Sequence, residues 1–351
     1  MSARARFGGV LATRLVDVTS DPAALEAGGW WAVVVPYDGW PVLARFADVA
    51  NVADSASSLV DGSGPWVGPA PESWRSSMTR EQYVDAVERV RAHIGAGDVY
   101  QANVCRVLEA ELPDPAADDV AALADLLAQG NPAPFGGYVR LPAGCHPAAP
   151  PGGLAVATAS PELFLRRGGD VVESGPIKGT GRTEADLSAK DRAENVMIVD
   201  LVRNDLGAVC RTGSVSVPSL LAVEEHPGLV HLVSTVRGQL SDSTGWSQLL
   251  TATFPPGSVT GAPKSSALRI IDEVELASRG PYCGAVGWID ADRGTAELAV
   301  AIRTFWLSDG VLRFGTGAGI TWDSDAAQEW AETELKAATL LRVASGSTAA
   351  T

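Results

Sequence analysis

Near the end of the chain, Glu329, Glu332 and Lys336 fall at i, i+3 and i+7. In a helix this spacing sets two carboxylates and an ammonium on one face. Carboxylates paired in this way suit a hard divalent cation such as Mg²⁺; they suit a solvated row of ion pairs equally well. Residues 191–205 (DRAENVMIVDLVRND) alternate Arg192, Glu194, Asn195, Asp200, Arg203 and Asp205 with Val196, Met197 and Val199. The pattern predicts an amphipathic helix with internal ion pairs, or one that lends a carboxylate to a metal site. A strand is predicted over 295–306, with Arg303 on the face of Ala299 and Ala301. Small neighbours leave room above a guanidinium, as a carboxylate-binding arginine needs, although a half-exposed strand arginine has the same pattern.

The lysines narrow the choice. The chain has 27 cationic residues, and only Lys178, Lys190, Lys264 and Lys336 are lysine. A position that keeps lysine in an arginine-rich sequence is a candidate for an amine that must lose its proton or attack an electrophile. Lys178 stands in Pro176-Ile177-Lys178-Gly179-Thr180, behind a predicted strand. A surface turn is the plainer reading of that segment; a nucleophile is the sharper one.

Two glycine-rich segments invite comparison with nucleotide loops and fail it. Residues 257–266 (GSVTGAPKSS) carry Pro263 where a phosphate loop needs glycine before lysine, so ATP is not expected. They can still bind an anion at the helix start that follows. Residues 315–319 (GTGAG) open no βαβ unit, so no dinucleotide site is expected. This segment reads as a turn before the last helix, with amide groups able to hold a carboxylate.

The elements that must position these residues follow from periodicity. Strands are predicted at 30–36, 41–46, 98–112, 137–141, 154–160, 162–166, 214–223, 231–240, 283–290, 295–306 and 311–316. On 98–112 the alternation puts Gln101 and Asn103 on one face. Helices are predicted after Thr79, whose capping partner is Gln82, and at 120–129, 187–206, 246–253, 265–277 and 324–343. A Gly/Pro/Ser-rich stretch at 55–73 reads as a linker. Strands in runs with helices interspersed predict an α+β fold with antiparallel sheets.

Composition excludes whole classes of function. The 351 residues carry a formal charge of −15, which argues against nucleic acid or an anionic membrane as partner. No apolar run approaches the roughly 20 residues of a membrane helix. Arg4 and Arg6 precede no apolar segment, so no secretory signal is expected. Cys105, Cys145, Cys210 and Cys283 are scattered without a CxxC pair and read as reduced thiols, which predicts a cytoplasmic protein.

Taken together, the segments resemble the chorismate-utilising family: anthranilate synthase component I, aminodeoxychorismate synthase component I, and the isochorismate and salicylate synthases. The resemblance runs from about residue 74 to 341 and rests on motifs in one order. They include SMTREQY (77–83), GDVYQANV (97–104), SPELF (160–164), PIKGT (176–180), DRAENVMIVDLVRNDLG (191–207), HLVSTVRG (231–238), FPPGSVTGAPK (254–264), YCGAVGW (282–288), AIRT (301–304), GTGAGI (315–320) and ExxExxxK (329–336). The resemblance implies one large domain of two antiparallel sheets packed face to face with helices outside. It implies a shortened N-terminal strand region over 1–70 and a continuous chorismate-binding catalytic region over 71–351. Family members usually carry a longer N-terminal region, which in some holds tryptophan.

The resemblance also implies chorismate as substrate and Mg²⁺ as cofactor. It assigns Glu194 and Glu332 to the metal, with Glu329 in or beside that set. His231 would lie near the ring carboxylate. Thr260, Gly261, Arg303 and the backbone of Gly317, Ala318 and Gly319 would hold the enolpyruvyl carboxylate. Tyr282 would lie beside it, and Lys336 would support the carboxylate cluster. Glu162 would be the general acid at the C4 hydroxyl. Isochorismate and salicylate synthases carry a water-activating lysine at the position of Gln101, which disfavours that branch. Anthranilate synthases carry alanine at the position of Lys178, which points to a covalent lysine and to aminodeoxychorismate synthase. Ammonia would come from a separate glutamine amidotransferase subunit, because no cysteine here has the setting of a glutaminase nucleophile.

Overall fold

The computed structural model describes residues 2–51, 65–114, 119–181, 183–226 and 229–346. Among these residues it forms eighteen strands and six α-helices, and every strand pairing is antiparallel. One layer runs, in hydrogen-bonding order, β6 (Gln101–Glu111), β18 (Val311–Ile320), β17 (Thr304–Ser308), β8 (Leu154–Ser160), β7 (Phe135–Leu141), β1 (Arg4–Phe7) and β2 (Val10–Thr19). The other runs β4 (Val42–Asn51), β3 (Trp30–Val35), β15 (Ala285–Asp290), β16 (Thr295–Val300), β9 (Leu163–Gly168), β10 (Val171–Gly175), β13 (Leu229–Gln239) and β12 (Ser216–His226). The short β5 (Arg75–Ser76) and β14 (Gly261–Ala262) flank β6, and β11 (Ile177–Gly181) follows β10 along β13. Because β2 pairs with both β1 and β4, the two layers form one unbroken series of pairings.

The main core lies between the layers. Cys105, Val107, Val139, Leu141 and Val156 meet Trp31, Val33, Leu165, Val286 and Leu298 there. The helices α2 (Val120–Gly130) and α6 (Ala326–Ala344) cover the outer face of the first layer, over Leu108, Tyr138, Ala157, Phe305 and Phe314. Farther along that face, α1 (Arg80–Ala96) and α5 (Lys264–Val274) cover Ala102, Val104, Ala318 and Ile320. On the second layer, α3 (Ala189–Gly207) and α4 (Trp246–Thr253) bury Ile198, Val202, Leu206 and Leu249. The expected α+β fold, with face-to-face antiparallel layers and helices outside, is what forms. The capping box also forms: Thr79 accepts from the Gln82 amide at 3.3 Å, and Gln82 Oε1 accepts from the Thr79 amide at 2.8 Å.

Several local expectations are corrected. The predicted strand 295–306 is two strands, broken at Ala301-Ile302-Arg303, where Arg303 has φ +50°. Arg303 therefore shares no strand face with Ala299 or Ala301. The GTGAG segment is no turn: it is the second half of β18, paired with β6 from Gly315↔Val107 to Gly319↔Asn103. The predicted helix 265–277 stops at Val274, because Glu275 turns back to the Arg279 guanidinium and the Cys105 amide. Strands β1 and β2 escape the periodicity reading; in β2, Arg14 sits at φ +56° and a bulge between Leu15 and Asp17 breaks the period of two. Of the predicted linker 55–73, residues 55–64 lie outside the described residues; Pro71–Ser73 form one 3₁₀ turn.

Candidate active site

Two places where the chain changes layer stand side by side. Between β8 and β9 it crosses at Pro161-Glu162, and between β16 and β17 it crosses at Ala301-Ile302-Arg303. The Val300 amide donates to the Glu162 carbonyl at 3.0 Å, and the Ala159 amide donates to the Arg303 carbonyl at 3.0 Å. The Ser160 hydroxyl donates to the Val300 carbonyl at 2.6 Å and accepts from the Glu162 amide at 3.2 Å. Glu162 is thereby fixed in the interior, 4% exposed. Burial pushes its carboxyl above the usual carboxylate range, against a hydrogen bond from Ser258 and the charge of Lys178.

Lys178 reaches the same place from β11. Its ammonium donates to the Ser258 carbonyl at 3.1 Å. Burial lowers its pKa below the ordinary lysine value of 10.5; the nearby Glu194, Glu162 and Glu332 oppose that shift, and Lys336 adds to it. The glycine after it has a specific task. Gly179 has φ +83°, and a Cβ there would stand 2.8 Å from Asp191 Cβ at the start of α3. Without that side chain β11 packs onto α3, which brings Lys178 toward Glu194.

Ser258, in the 3₁₀ turn Gly257–Val259, joins the acid to the amine. Its carbonyl also accepts from Asn103 Nδ2 at 3.5 Å, and Thr260 O in turn accepts from the Asn103 amide at 2.8 Å. The sequence placed Asn103 on a strand face with Gln101 but gave no sign of its link to Ser258, because neither residue is titratable and the link spans 155 positions. Thr260 is fully buried, and its hydroxyl donates to the Pro256 and Gly257 carbonyls at 3.0 and 3.3 Å. Gly261, at φ +146°, pairs with Ala102 of β6, and a Cβ there would strike the Gln101 carbonyl.

The glycines of β18 make room for side chains of this chain. Cβ atoms at Gly315 and Gly319 would overlap the Tyr282 ring and the Gln101 amide, and one at Gly317 would approach Cys105 Sγ to 2.6 Å. Ala318 faces the other way, into the core under α1 and α5. Gln101 is 1% exposed, and both its amide atoms lack partners; Asn103 Oδ1 is also unpartnered. These three buried polar atoms without partners lie together beside Gly319. Tyr282 is buried, and burial raises its phenol well above the usual value. Arg303 is half-buried, burial lowers its pKa, and no carboxylate among the described residues forms an ion pair with it. His231 is buried on β13, opposite Thr180 of β11.

The acidic residues come together from α3 and α6. Glu332 pairs with Lys336 at 2.6 Å, and Lys336 donates to the Gly317 carbonyl at 3.1 Å. Glu329 is 6% exposed. Burial raises the carboxyls of both Glu194 and Glu329, and each feels the charge of Glu332. Lys190, which sequence reasoning did not place here, lies 3.7 Å from Glu194 and 3.8 Å from Glu329. Among the described residues, no three His, Cys, Asp or Glu side chains are arranged as a metal cage. The donors are nevertheless all carboxylate oxygens, and an ammonium already stands between two of them. That donor set fits a hard divalent cation.

No helix among the described residues is long and apolar enough to cross a membrane. A family model described as chorismate binding enzyme matches residues 49–342. Anthranilate synthase component 1 of Haloarcula marismortui is 39% identical over 82% of this chain and 58% of its own length. Aminodeoxychorismate synthase component 1 of Escherichia coli is 39% identical over 77% of this chain and 59% of its own length. The chain thus spans somewhat more than half the length of these curated relatives. The crystal structure of anthranilate synthase component I from Streptococcus pneumoniae superposes with a TM-score of 0.75 at 25% identity, covering 97% of this chain and 90% of that one. With the matched model spanning most of the sequence, the chain belongs to the chorismate-binding enzyme family.

Proposed function

We propose that the chain aminates chorismate to 4-amino-4-deoxychorismate through a covalent adduct on Lys178. The observation that carries this reading is the placement of Lys178 beside Glu162, with Ser258 bonded to both and burial lowering the amine's pKa. A buried amine short of its proton is a nucleophile, and a buried carboxyl that keeps its proton is an acid. Neutral Lys178 adds to C2 of the substrate. The C4 hydroxyl leaves as water with the proton of Glu162. Ammonia then adds at C4, the C2–N bond breaks to return neutral Lys178, and Glu162 takes the proton shed by the new amine. The enolpyruvyl group stays in place, and the product suits a lyase that makes p-aminobenzoate for folate.

Arg303 is suited to the enolpyruvyl carboxylate, because its guanidinium is half-buried and without a carboxylate partner among the described residues. Mg²⁺, held by Glu194, Glu329 and Glu332, would supply positive charge to the ring carboxylate. Ammonia would come from a glutamine amidotransferase subunit. Cys105, Cys210 and Cys283 are buried and Cys145 is half-buried, and burial pushes the thiols of Cys105, Cys145 and Cys210 up, away from the nucleophilic thiolate.

Anthranilate synthesis is the second reading, since a relative with that name is 39% identical as well. One experiment separates the two. The purified chain is incubated with chorismate, Mg²⁺ and ammonium salt, and the product is identified by mass spectrometry. Aminodeoxychorismate that disappears in Lys178→Ala supports the proposal; anthranilate with release of pyruvate overturns it.

A further inference from the structure

We propose that Lys190 is a resident counter-cation of the carboxylate site, which a divalent cation must expel in order to bind. The inference rests on the metal reading above and deepens it. Glu194 on α3 and Glu329 on α6 belong to helices that cover different layers, and Lys190 bridges them at 3.7 and 3.8 Å. Both distances exceed those of a hydrogen bond, so the ammonium balances charge without occupying the lone pairs of either carboxylate. Lys336 contrasts with it, since it sits on Glu332 at 2.6 Å and is anchored to the Gly317 carbonyl.

The geometry makes Lys190 the cation that can leave. Its side chain is 47% exposed, whereas that of Glu329 is 8% exposed. An ammonium on a flexible stem recovers its hydration by swinging outward; a buried carboxylate cannot. A divalent ion brings twice the charge to contact distance, and single charges at 3.7 Å cannot match that attraction. With neither cation present, the two acids, 16% and 8% exposed, would face each other across the junction of α3 and α6 with no counter-charge between them. Lys190 thus holds that junction before loading, and loading is an exchange of one cation for another.

The test compares the full chain with Lys190→Met and Lys190→Gln, which remove the charge, and with Lys190→Arg, which keeps it. Binding of Mn²⁺ is read by the loss of the free-ion paramagnetic resonance signal, and stability by melting in chelator and in Mn²⁺. The neutral variants are expected to bind Mn²⁺ about tenfold more tightly. They should melt below the wild-type chain in chelator, with the gap closing as Mn²⁺ is added. The arginine variant should follow the wild type. Equal affinity in all four proteins overturns the exchange and leaves the metal site standing. Tight binding by the arginine variant also overturns it, because the effect would then not be charge. A wild-type chain that binds no Mn²⁺ overturns both the exchange and the metal site.

Discussion

The Val300 amide donates to the Glu162 carbonyl at 3.0 Å, and this one bond ties together the two places where the chain passes between layers. Strands within a layer repeat side chains with a period of two. A crossing breaks that period and aims residues into the space between the sheet edges. Glu162 and Arg303 are delivered by neighbouring crossings, so the acid and the guanidinium are set by the same backbone hydrogen bonds.

The shifts of Glu162 and Lys178 predict a pH profile. The proposed reaction needs the amine neutral and the carboxyl protonated. Burial lowers the first pKa and raises the second, so the two shifts converge and enlarge the fraction in the productive form. The rate is expected to climb with pH as Lys178 loses its proton, and to fall as Glu162 loses its own. In Glu162→Gln the dependence on the acid should vanish and kcat should drop about a thousandfold. A profile of kcat/KM against pH for both proteins checks this.

Lys178 also predicts a cost in stability. Its pKa is lowered on folding, so the unfolded chain binds more protons between the lowered value and 10.5. Stability therefore rises with pH across that window, and below it the full cost of the buried charge remains. Lys178→Met removes the cost and is expected to raise the melting temperature at neutral pH by about 2 °C while abolishing turnover. Calorimetry of the two proteins at pH 7 measures the difference. An unchanged or lower melting temperature in the variant would show that the buried amine is not a burden on the fold.

Arg279 and Glu275 predict the opposite behaviour. Their side chains are 1% and 7% exposed and pair at 2.6 Å. Arg279 also donates to the Asn103 and Val259 carbonyls at 3.1 and 3.0 Å, and Glu275 accepts from the Cys105 amide at 2.8 Å. Glu275→Gln leaves a buried guanidinium without its counter-charge, and the expected loss is about 3 kcal/mol. Urea denaturation quantifies it. Because β6 carries both Gln101 and Asn103, KM should rise as well.

Gly319 predicts a defect in both binding and packing. A Cβ there would stand 3.1 Å from Asn103 Oδ1 and overlap the Gln101 amide. Gly319→Ala is expected to push that amide aside, raising KM about tenfold and costing about 1–3 kcal/mol. If steady-state kinetics find KM unchanged, the β18 glycines serve packing alone.

Arg303 predicts a loss that lysine cannot repair. A guanidinium can hold a carboxylate by two parallel bonds, and an ammonium cannot. Arg303→Lys and Arg303→Ala are both expected to raise KM by about tenfold or more, with smaller effects on kcat. Equal KM in the lysine variant and the wild type would argue that Arg303 meets no carboxylate.

The sequence by itself determined the type of most elements, the capped start of α1, the alternation of β6 and the family, because hydrophobic period, capping residues and motif order are local properties. It also marked Lys178, Glu194, Glu329, Glu332 and Lys336, since residue type and helical spacing are visible along the chain. Tertiary structure alone decided which residues meet. Ser258 joins Glu162 to Lys178 across 80 positions or more, and Lys190 joins Glu194 to Glu329 across two helices. The break at Arg303 and the strand character of GTGAG also lay beyond local reading. A strand ends where its partner ends, and glycine persists in β18 because Tyr282, Cys105 and Gln101 fill the space a side chain would take. Both are consequences of pairing between segments far apart in the chain, which no local period records.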